Sequence, residues 1–88
     1  MKESELNDIK NLFEQVMYAQ TKKDAIPLLN KLKFLVGNVK HTLSEYASYK
    51  LEEAISFATT ASGQVKEKEH WISQAQQCWY IFENSCKI

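Results

Sequence analysis

A run of apolar residues near the end of the chain, from Trp71 to Phe82, most constrains how this sequence folds. At the α-helical spacing of about 100° per residue, most of its apolar side chains fall on one side of a helix, within an arc of roughly 140°. That stripe consists of Val65, Trp71, Ile72, Ala75, Cys78, Trp79, Phe82 and Cys86. Fully burying a large apolar side chain stabilises a fold by about 1.5–3 kcal/mol. We therefore predict that this helix forms the centre of the core.

Length and composition favour one helical domain over residues 1–88. Of the 88 residues, 44% are hydrophobic, which is too high a fraction for a disordered chain. Two glycines and one proline leave little material for hairpin turns. A chain this short buries only somewhat over about 60% of its unfolded surface, so oligomerisation would supplement its stability.

The first helix is predicted over residues 4–20, with Ser4 as its N-cap. Six apolar residues share one face at helical spacing. They are Leu6, Ile9, Leu12, Phe13, Val16 and Met17. Tyr18 falls outside this face.

The second helix is predicted over residues 25–36. Asp24 is its expected N-cap, which would place Pro27 in the first turn, where the missing N–H costs nothing. The pair Gly37-Asn38 is the expected stop, because both residues tolerate the left-handed conformation of helix ends. Phe34 points well away from the leucine face of this helix.

The third and fourth helices are predicted over residues 43–61 and 65–86, separated by Ser62-Gly63. The segment Thr42 to Glu45 has the S/T-x-x-E pattern of a capping box and would start the third helix. Four alanines form a narrow ridge along that helix, which would let a neighbour approach closely. They are Ala47, Ala54, Ala58 and Ala61.

Four helices with one apolar stripe each and short connections predict a small all-α protein, an antiparallel up-down-up-down four-helix bundle. The alternative architecture is a pair of stacked helical hairpins, as in a fragment of a solenoid, although no repeat signature supports it.

The sequence contains few suitably spaced ligand residues for a metal site. Glu67 and His70 have the Glu-x-x-His spacing of di-iron bundles, but such a site needs a second motif and further carboxylates. The other histidine, His41, has Asn38 at the matching position. We expect no metal and no cofactor.

Catalytic and disulfide chemistry are also disfavoured. On one helix, Cys78 lies eight residues, or about 12 Å, from both His70 and Cys86, which is too far for a nucleophile–base pair or a disulfide. A pair between Cys78 and His41 cannot be judged from the sequence. Since no phosphate loop or nucleophile elbow is present, we expect that the protein is not an enzyme.

Charge and hydropathy further restrict the classes of partner that this protein could bind. The chain has eleven lysines, eleven acidic residues and no arginine, which disfavours nucleic-acid binding. Its start lacks the apolar core of a signal peptide, and its longest apolar run, Cys78–Phe82, is far shorter than a membrane span. We expect a soluble cytoplasmic protein without a membrane partner.

The aromatic residues that break the helical pattern are the best candidates for function, because tyrosine and phenylalanine are enriched where proteins meet. We predict a protein-binding surface that includes Phe34 and its lysine neighbours. The predicted members are Tyr18, Lys31, Lys33, Phe34, Tyr49 and Tyr80. The alternative for Phe34 is burial within the monomer, on a tilted or central second helix.

Residues 21–40 form the one basic segment, with a net charge of +4. A solvated face screened by salt explains this cluster without any ligand. The functional alternative is a site for a small anionic ligand such as a nucleotide, near the start of the second helix. Its predicted members are Tyr18, Lys22, Lys23, Lys31 and Lys33.

The sequence thus predicts a small binding protein that acts on another protein, on itself as a homo-oligomer, or on both. An inhibitor, an immunity protein, an antitoxin-like factor and an assembly adaptor all have this kind of sequence. An oligomeric protein that binds or sequesters a small anion is the alternative.

Overall fold

The computed structural model describes residues 2–64 and 66–86, which form four α-helices and no strand. The helices are α1 (Glu3–Met17), α2 (Lys22–Val39), α3 (Glu45–Ala61) and α4 (Lys68–Cys86), with a short 3₁₀ turn at Lys40–Thr42. They pack as an antiparallel bundle of 38 × 23 × 18 Å around one apolar core. The predicted fold class is therefore confirmed.

The alanine ridge of α3 holds the bundle together. All four alanines are buried, and α3 packs along its length against α4 and, less extensively, against α1. Small side chains allow helix axes to approach closely, so large residues of the neighbouring helices can cover the ridge. Leu51 lies on the same face and is also buried.

Helix α4 contributes two large aromatic side chains to the core, Trp79 and Phe82, both of which belong to its predicted stripe. The ring of Trp79 stacks on Phe13 of α1 at 4.9 Å between centroids and contacts Phe82 at 5.1 Å. Its indole N–H donates to Glu83 Oε2 at 3.2 Å, so the polar end of this buried side chain is satisfied. Trp71 is only half-buried and stacks on Phe57 at 5.8 Å. Val65 lies outside the described residues.

The starts of α1 and α2 differ from the prediction. Helix α1 begins one residue earlier, with Lys2 as N-cap, and ends at Met17 rather than at residue 20. Helix α2 is capped by Thr21, whose Oγ1 accepts from the Asp24 N–H at 3.1 Å, so Asp24 is not the N-cap. Pro27 consequently lies in the second turn, where it has no N–H to donate to the Lys23 carbonyl four residues earlier.

The end of α2 and the start of α3 were also predicted wrongly. Gly37-Asn38 lies inside α2, which continues to Val39 because this extension buries the valine side chain. Thr42 belongs to the 3₁₀ turn and donates to the Val39 carbonyl, so it is not a cap. Ser44 caps α3 instead, accepting from the Ala47 N–H at 3.1 Å.

The two interhelical connections at one end of the bundle are bonded to each other. The Ala19 carbonyl accepts from the Gly63 N–H at 3.2 Å and from Lys68 Nζ at 3.0 Å. Lys68 Nζ also donates to the Ala61 carbonyl at 3.2 Å, and this carbonyl at the end of α3 accepts from the Gln64 N–H as well, at 3.2 Å. These bonds tie the α1–α2 hairpin to the α3–α4 hairpin.

Gly63 is the glycine that this contact requires. Its φ is +76°, and a Cβ there would lie 3.2 Å from both the backbone N and the Cγ of Lys22. We predict that Gly63→Ala lowers the free energy of unfolding by at least about 1 kcal/mol, because an L-residue in the left-handed region costs roughly 1–2 kcal/mol. Urea denaturation followed by circular dichroism measures the change.

Gly37→Ala is the matched control for that substitution. Gly37 lies on the exposed side of α2 with no atom within 4 Å of a Cβ placed there. Alanine should therefore raise the free energy of unfolding by about 0.5–1 kcal/mol through helix propensity. Equal destabilisation by both substitutions would contradict the role assigned to the Gly63 contact.

Candidate functional site

The aromatic residues selected from the sequence lie on the surface. Phe34 is 69% exposed and Tyr80 67%, and Tyr18 and Tyr49 are also more than half exposed. Phe34 is therefore not buried within the monomer. The proposed binding role of these residues stays a prediction, and their positions relative to one another decide which of them can act together.

Phe34 borders an apolar depression of about 360 Å³ between α1 and α2. The depression is lined by Leu12, Asn30, Lys31, Phe34 and Leu35. On α2, Phe34 lies about half a turn away from the buried Leu32, so its ring cannot reach the core. Lys31 adds a positive charge to the edge of this depression. We call the surface shared by these two helices the α1–α2 face.

A smaller depression continues the same face toward the start of α1. It is lined by Glu5, Asp8, Ile9, Leu35, Asn38 and Val39. Leu35 belongs to both depressions, so the two adjoin. The α1–α2 face thus has carboxylates on one side of Phe34 and Lys31 on the other.

Lys33 lies on the other side of α2, in a groove between α2 and α3 of about 580 Å³. This groove exists because α2 packs mainly on α1 and touches α3 little. Its lining comprises Lys33, Val36, Gly37, Lys40, Glu52, Ile55, Ser56, Thr59 and Thr60. Lys40 Nζ lies 2.8 Å from Glu52 Oε1, so that lysine is already paired across the groove.

The lysines proposed for an anion site are spread along and around α2. Lys31 and Lys33 line different depressions, and Lys22 and Lys23 lie in the first turn, about 12 Å or more along the helix from Lys31. Tyr18 follows the last residue of α1. Of this set, Lys33 is the member that borders the large groove.

Tyr49 belongs to a second cluster, on α3, together with Tyr46, which the sequence analysis did not select for a site. Lys50 Nζ lies 5.8 Å from the centroid of the Tyr46 ring and 5.6 Å from that of Tyr49, within range of cation–π attraction. The same ammonium group lies 3.2 Å from Glu53 Oε1. Tyr46 and Glu53 lie four residues before and three residues after Lys50, and this helical spacing was the available signal.

Glu53 connects this cluster to the core helix. Its Oε1 accepts from the Cys78 thiol at 3.1 Å. Hydrogen bonds from Cys78 and then from Lys50 hold the pKa of the Glu53 carboxyl below its usual value. Burial, followed by the bond to Glu53, raises the pKa of the Cys78 thiol to about 11. Cys78 is thereby kept as a neutral thiol, the form that is a poor nucleophile.

Tyr80 borders a further depression, of about 300 Å³, between α1 and α4. Its lining comprises Lys10, Phe13, Glu14, Met17, Gln76, Trp79 and Tyr80. Phe34, Tyr49 and Tyr80 therefore border three different depressions, because each lies on a different helix. Ile26, another exposed apolar residue that the sequence analysis did not select, lies on α2 and is 55% exposed.

Residues considered for metal binding do not form a cluster. Within residues 2–64 and 66–86, no group of three or more potential ligands comes together. His41 and His70 are both exposed, and the His70 ring meets the edge of Trp71 at 5.0 Å. In the same described part of the chain, no helix combines the length and apolar character needed to cross a membrane.

Comparisons with protein-family models, with curated proteins and with solved structures return no match.

The raised pKa of Cys78 predicts a slow, pH-dependent reaction with iodoacetamide. In a Cys86→Ser background, we expect the alkylation rate to rise with a midpoint near pH 11. Glu53→Gln should lower this midpoint by removing the carboxylate, but not to the usual thiol value, because burial of the sulfur remains. Circular dichroism at each pH verifies that the protein stays folded. A midpoint unaffected by Glu53→Gln would contradict the assigned contact.

The raised pKa of Cys78 also makes the stability of the fold depend on pH. Because the pKa of the folded thiol lies above that of the unfolded one, the neutral thiol stabilises the fold fully below about pH 9 and loses this contribution as the pH rises through 11.

Proposed function

We propose that the protein functions by binding another polypeptide through the α1–α2 face, without catalysing a reaction. The observation that supports this most directly is the exposure of Phe34 beside the apolar depression that contains Leu12 and Leu35. A single exposed aromatic residue is ordinary on a protein surface. A large exposed ring next to an apolar depression and a lysine has the composition of a binding centre, where aromatic anchors contribute most of the energy.

The packing of α2 supports this choice of surface. Leu28, Leu29 and Leu35 are only half-buried and Phe34 is exposed, so α2 keeps apolar area that the monomer does not cover. Covering such area is the general source of binding energy between proteins. A partner that covers Phe34 would also remove water from part of Leu12 and Leu35.

A non-catalytic role is consistent with the state of the buried Cys78 thiol. The thiol is held neutral by burial and by Glu53, whose charge is in turn balanced by Lys50. The protein class that we propose is a stoichiometric binder, such as an inhibitor, an immunity protein, an antitoxin-like factor or an assembly adaptor. We place it in the cytoplasm as part of this proposal, since the two cysteines are unpaired.

Phe34→Ala tests the proposal. We expect the free energy of unfolding to change by no more than about 0.5 kcal/mol, because Phe34 makes little contact with the core. Binding should weaken by roughly 30-fold, the effect of losing about 2 kcal/mol at a binding centre. The measurement is capture from an extract of the cells that encode the protein, quantified by mass spectrometry for the wild type and the variant.

Ile26→Ala is the matched control, because it removes an exposed apolar side chain from another side of the same helix. Proteins bound through the α1–α2 face should be retained by Ile26→Ala and lost by Phe34→Ala. Identical captured sets from the wild type and Phe34→Ala would refute the proposed face.

A second candidate function is the binding of a small anionic ligand in the α2–α3 groove. The groove volume of about 580 Å³ falls in the range of small-molecule sites, and Lys33 supplies a positive charge at its edge. Apolar Val36 and Ile55 would contact the uncharged part of such a ligand.

A thermal-shift panel of nucleotides tests this second function. We expect any stabilising nucleotide to lose its effect with Lys33→Ala and to keep it with Lys31→Ala, because Lys33 lines the groove and Lys31 does not. A ligand present at a free concentration of 100 times its Kd would add about 2.7 kcal/mol to the free energy of unfolding, which gives a readily measured increase in Tm. No shift with any member of the panel would remove nucleotides as the ligand class.

A further inference from the structure

The groove between α2 and α3 is bordered along its length by two antiparallel helices. The ion pair between Lys40 Nζ and Glu52 Oε1, at 2.8 Å, fixes which residues face each other across it. Lys33 lies seven residues before Lys40 on α2, and Thr59 lies seven residues after Glu52 on α3. Lys33 and Thr59 therefore line the other end of the groove, about 10.5 Å from the ion pair along α2.

The charged residues that line this groove leave one positive charge unbalanced. They are Lys33, Lys40 and Glu52. Lys40 and Glu52 neutralise each other, whereas no ion pair formed by residues 2–64 and 66–86 includes Lys33. The groove thus has the charge to accept a single negative group, at the end where Lys33 lies.

Most of the uncharged lining is satisfied without polar groups from a ligand. Val36 and Ile55 are apolar. The hydroxyls of Thr59 and Thr60 donate to carbonyls of their own helix at 2.8 and 3.1 Å. Gly37 has no side chain, and a Cβ there would have no atom within 4 Å, so the middle of the groove is open. A hydrocarbon chain can therefore lie along this part of the groove.

A phosphate group fits this groove less well than a carboxylate does. A phosphate monoester carries a charge of about −1.5 to −2 at pH 7, which is more than one ammonium group balances. The lining begins at Lys33 and Glu52, well past the first turns of α2 and α3, so the free amides of a helix N-terminus do not face the groove. The chain also has no arginine, the side chain that binds phosphate through two parallel hydrogen bonds.

We propose that the α2–α3 groove binds a monocarboxylate with a linear aliphatic body, of the kind found in medium-chain fatty acids, with its carboxylate on Lys33. This inference rests on the second candidate function and names its ligand class. The carboxylate balances the charge of Lys33, and the aliphatic chain removes water from Val36 and Ile55. The chain ends near the ion pair, where no further charge is needed.

Titration with octanoate, followed by NMR of the backbone amides, tests the inference. Octanoate should shift the amide signals of Gly37 and Ile55 saturably, whereas acetate, which has the charge without the aliphatic body, should not. From butanoate to octanoate, each methylene that the groove buries should tighten binding by up to about fourfold. Octylammonium, which has a similar body and the opposite charge, should bind more weakly than octanoate.

Substitutions at the two ends of this argument separate charge from shape. Lys33→Glu should reverse the preference, so that octylammonium binds more tightly than octanoate. Lys31→Glu is the matched control, because it makes the same charge change on α2 outside the groove and should leave the octanoate Kd nearly unchanged. Gly37→Leu should block the groove to both ligands. Leucine has the higher helix propensity, so circular dichroism should show that the fold is kept.

Suberate provides an independent test at the other end of the groove, because it carries a second carboxylate at the far end of a chain of the same length. In the wild type, this second carboxylate meets Glu52, so suberate should bind more weakly than octanoate. Glu52→Gln leaves Lys40 without its partner and should make suberate the tighter ligand of the two. Two ammonium groups, on residues about 10.5 Å apart along α2, are then available to its two carboxylates.

Octanoate that fails to shift the groove amides, or an octanoate Kd that Lys33→Glu leaves unchanged, would overturn the inference. If a nucleotide nevertheless stabilises the protein in a manner that depends on Lys33, the second candidate function stands and only the ligand class is wrong. If neither carboxylates nor nucleotides bind, the inference and the second candidate function are both refuted.

Discussion

The close packing of α3 against its neighbours is the contact on which the rest of this structure depends. Alanines at four positions of α3 let α4 approach along its whole length, and they bring α1 near enough for Phe13 to stack on Trp79. In a protein of 88 residues, few other contacts can supply comparable buried area. The hydrogen bonds from Gly63 and Lys68 to Ala19 then fix the end of the bundle.

The position of α2 follows from that arrangement. Since α3 already contacts α4 and α1, α2 packs mainly on α1, and a groove remains between α2 and α3. This peripheral position leaves α2 with a buried side at Leu32 and Val36 and an uncovered ring at Phe34. Helix α2 therefore keeps apolar surface available for a partner, with Phe34 69% exposed. The proposed function uses this property.

Local signals at helix ends were less informative than periodicity. Asp24, Thr42 and the Gly37-Asn38 pair all have the chemistry of caps or stops, yet none acts as one. Several residues in each connection can cap a helix, and the choice among them is settled by contacts with other helices. Val39 illustrates this, because the burial of its side chain favours continuing α2 through a glycine that costs only about 1 kcal/mol.

The sequence by itself determined the helical class, the number of helices and most of the buried residues, because a 3.6-residue period specifies which side chains share a face. It also identified Phe34 and Tyr80 as breaks in that period. Only the tertiary structure decided that Phe34 adjoins Leu12, that Lys31 and Lys33 line different depressions, and that Glu53 contacts Cys78. Periodicity describes each helix about its own axis, whereas these contacts depend on how the helices are placed relative to one another.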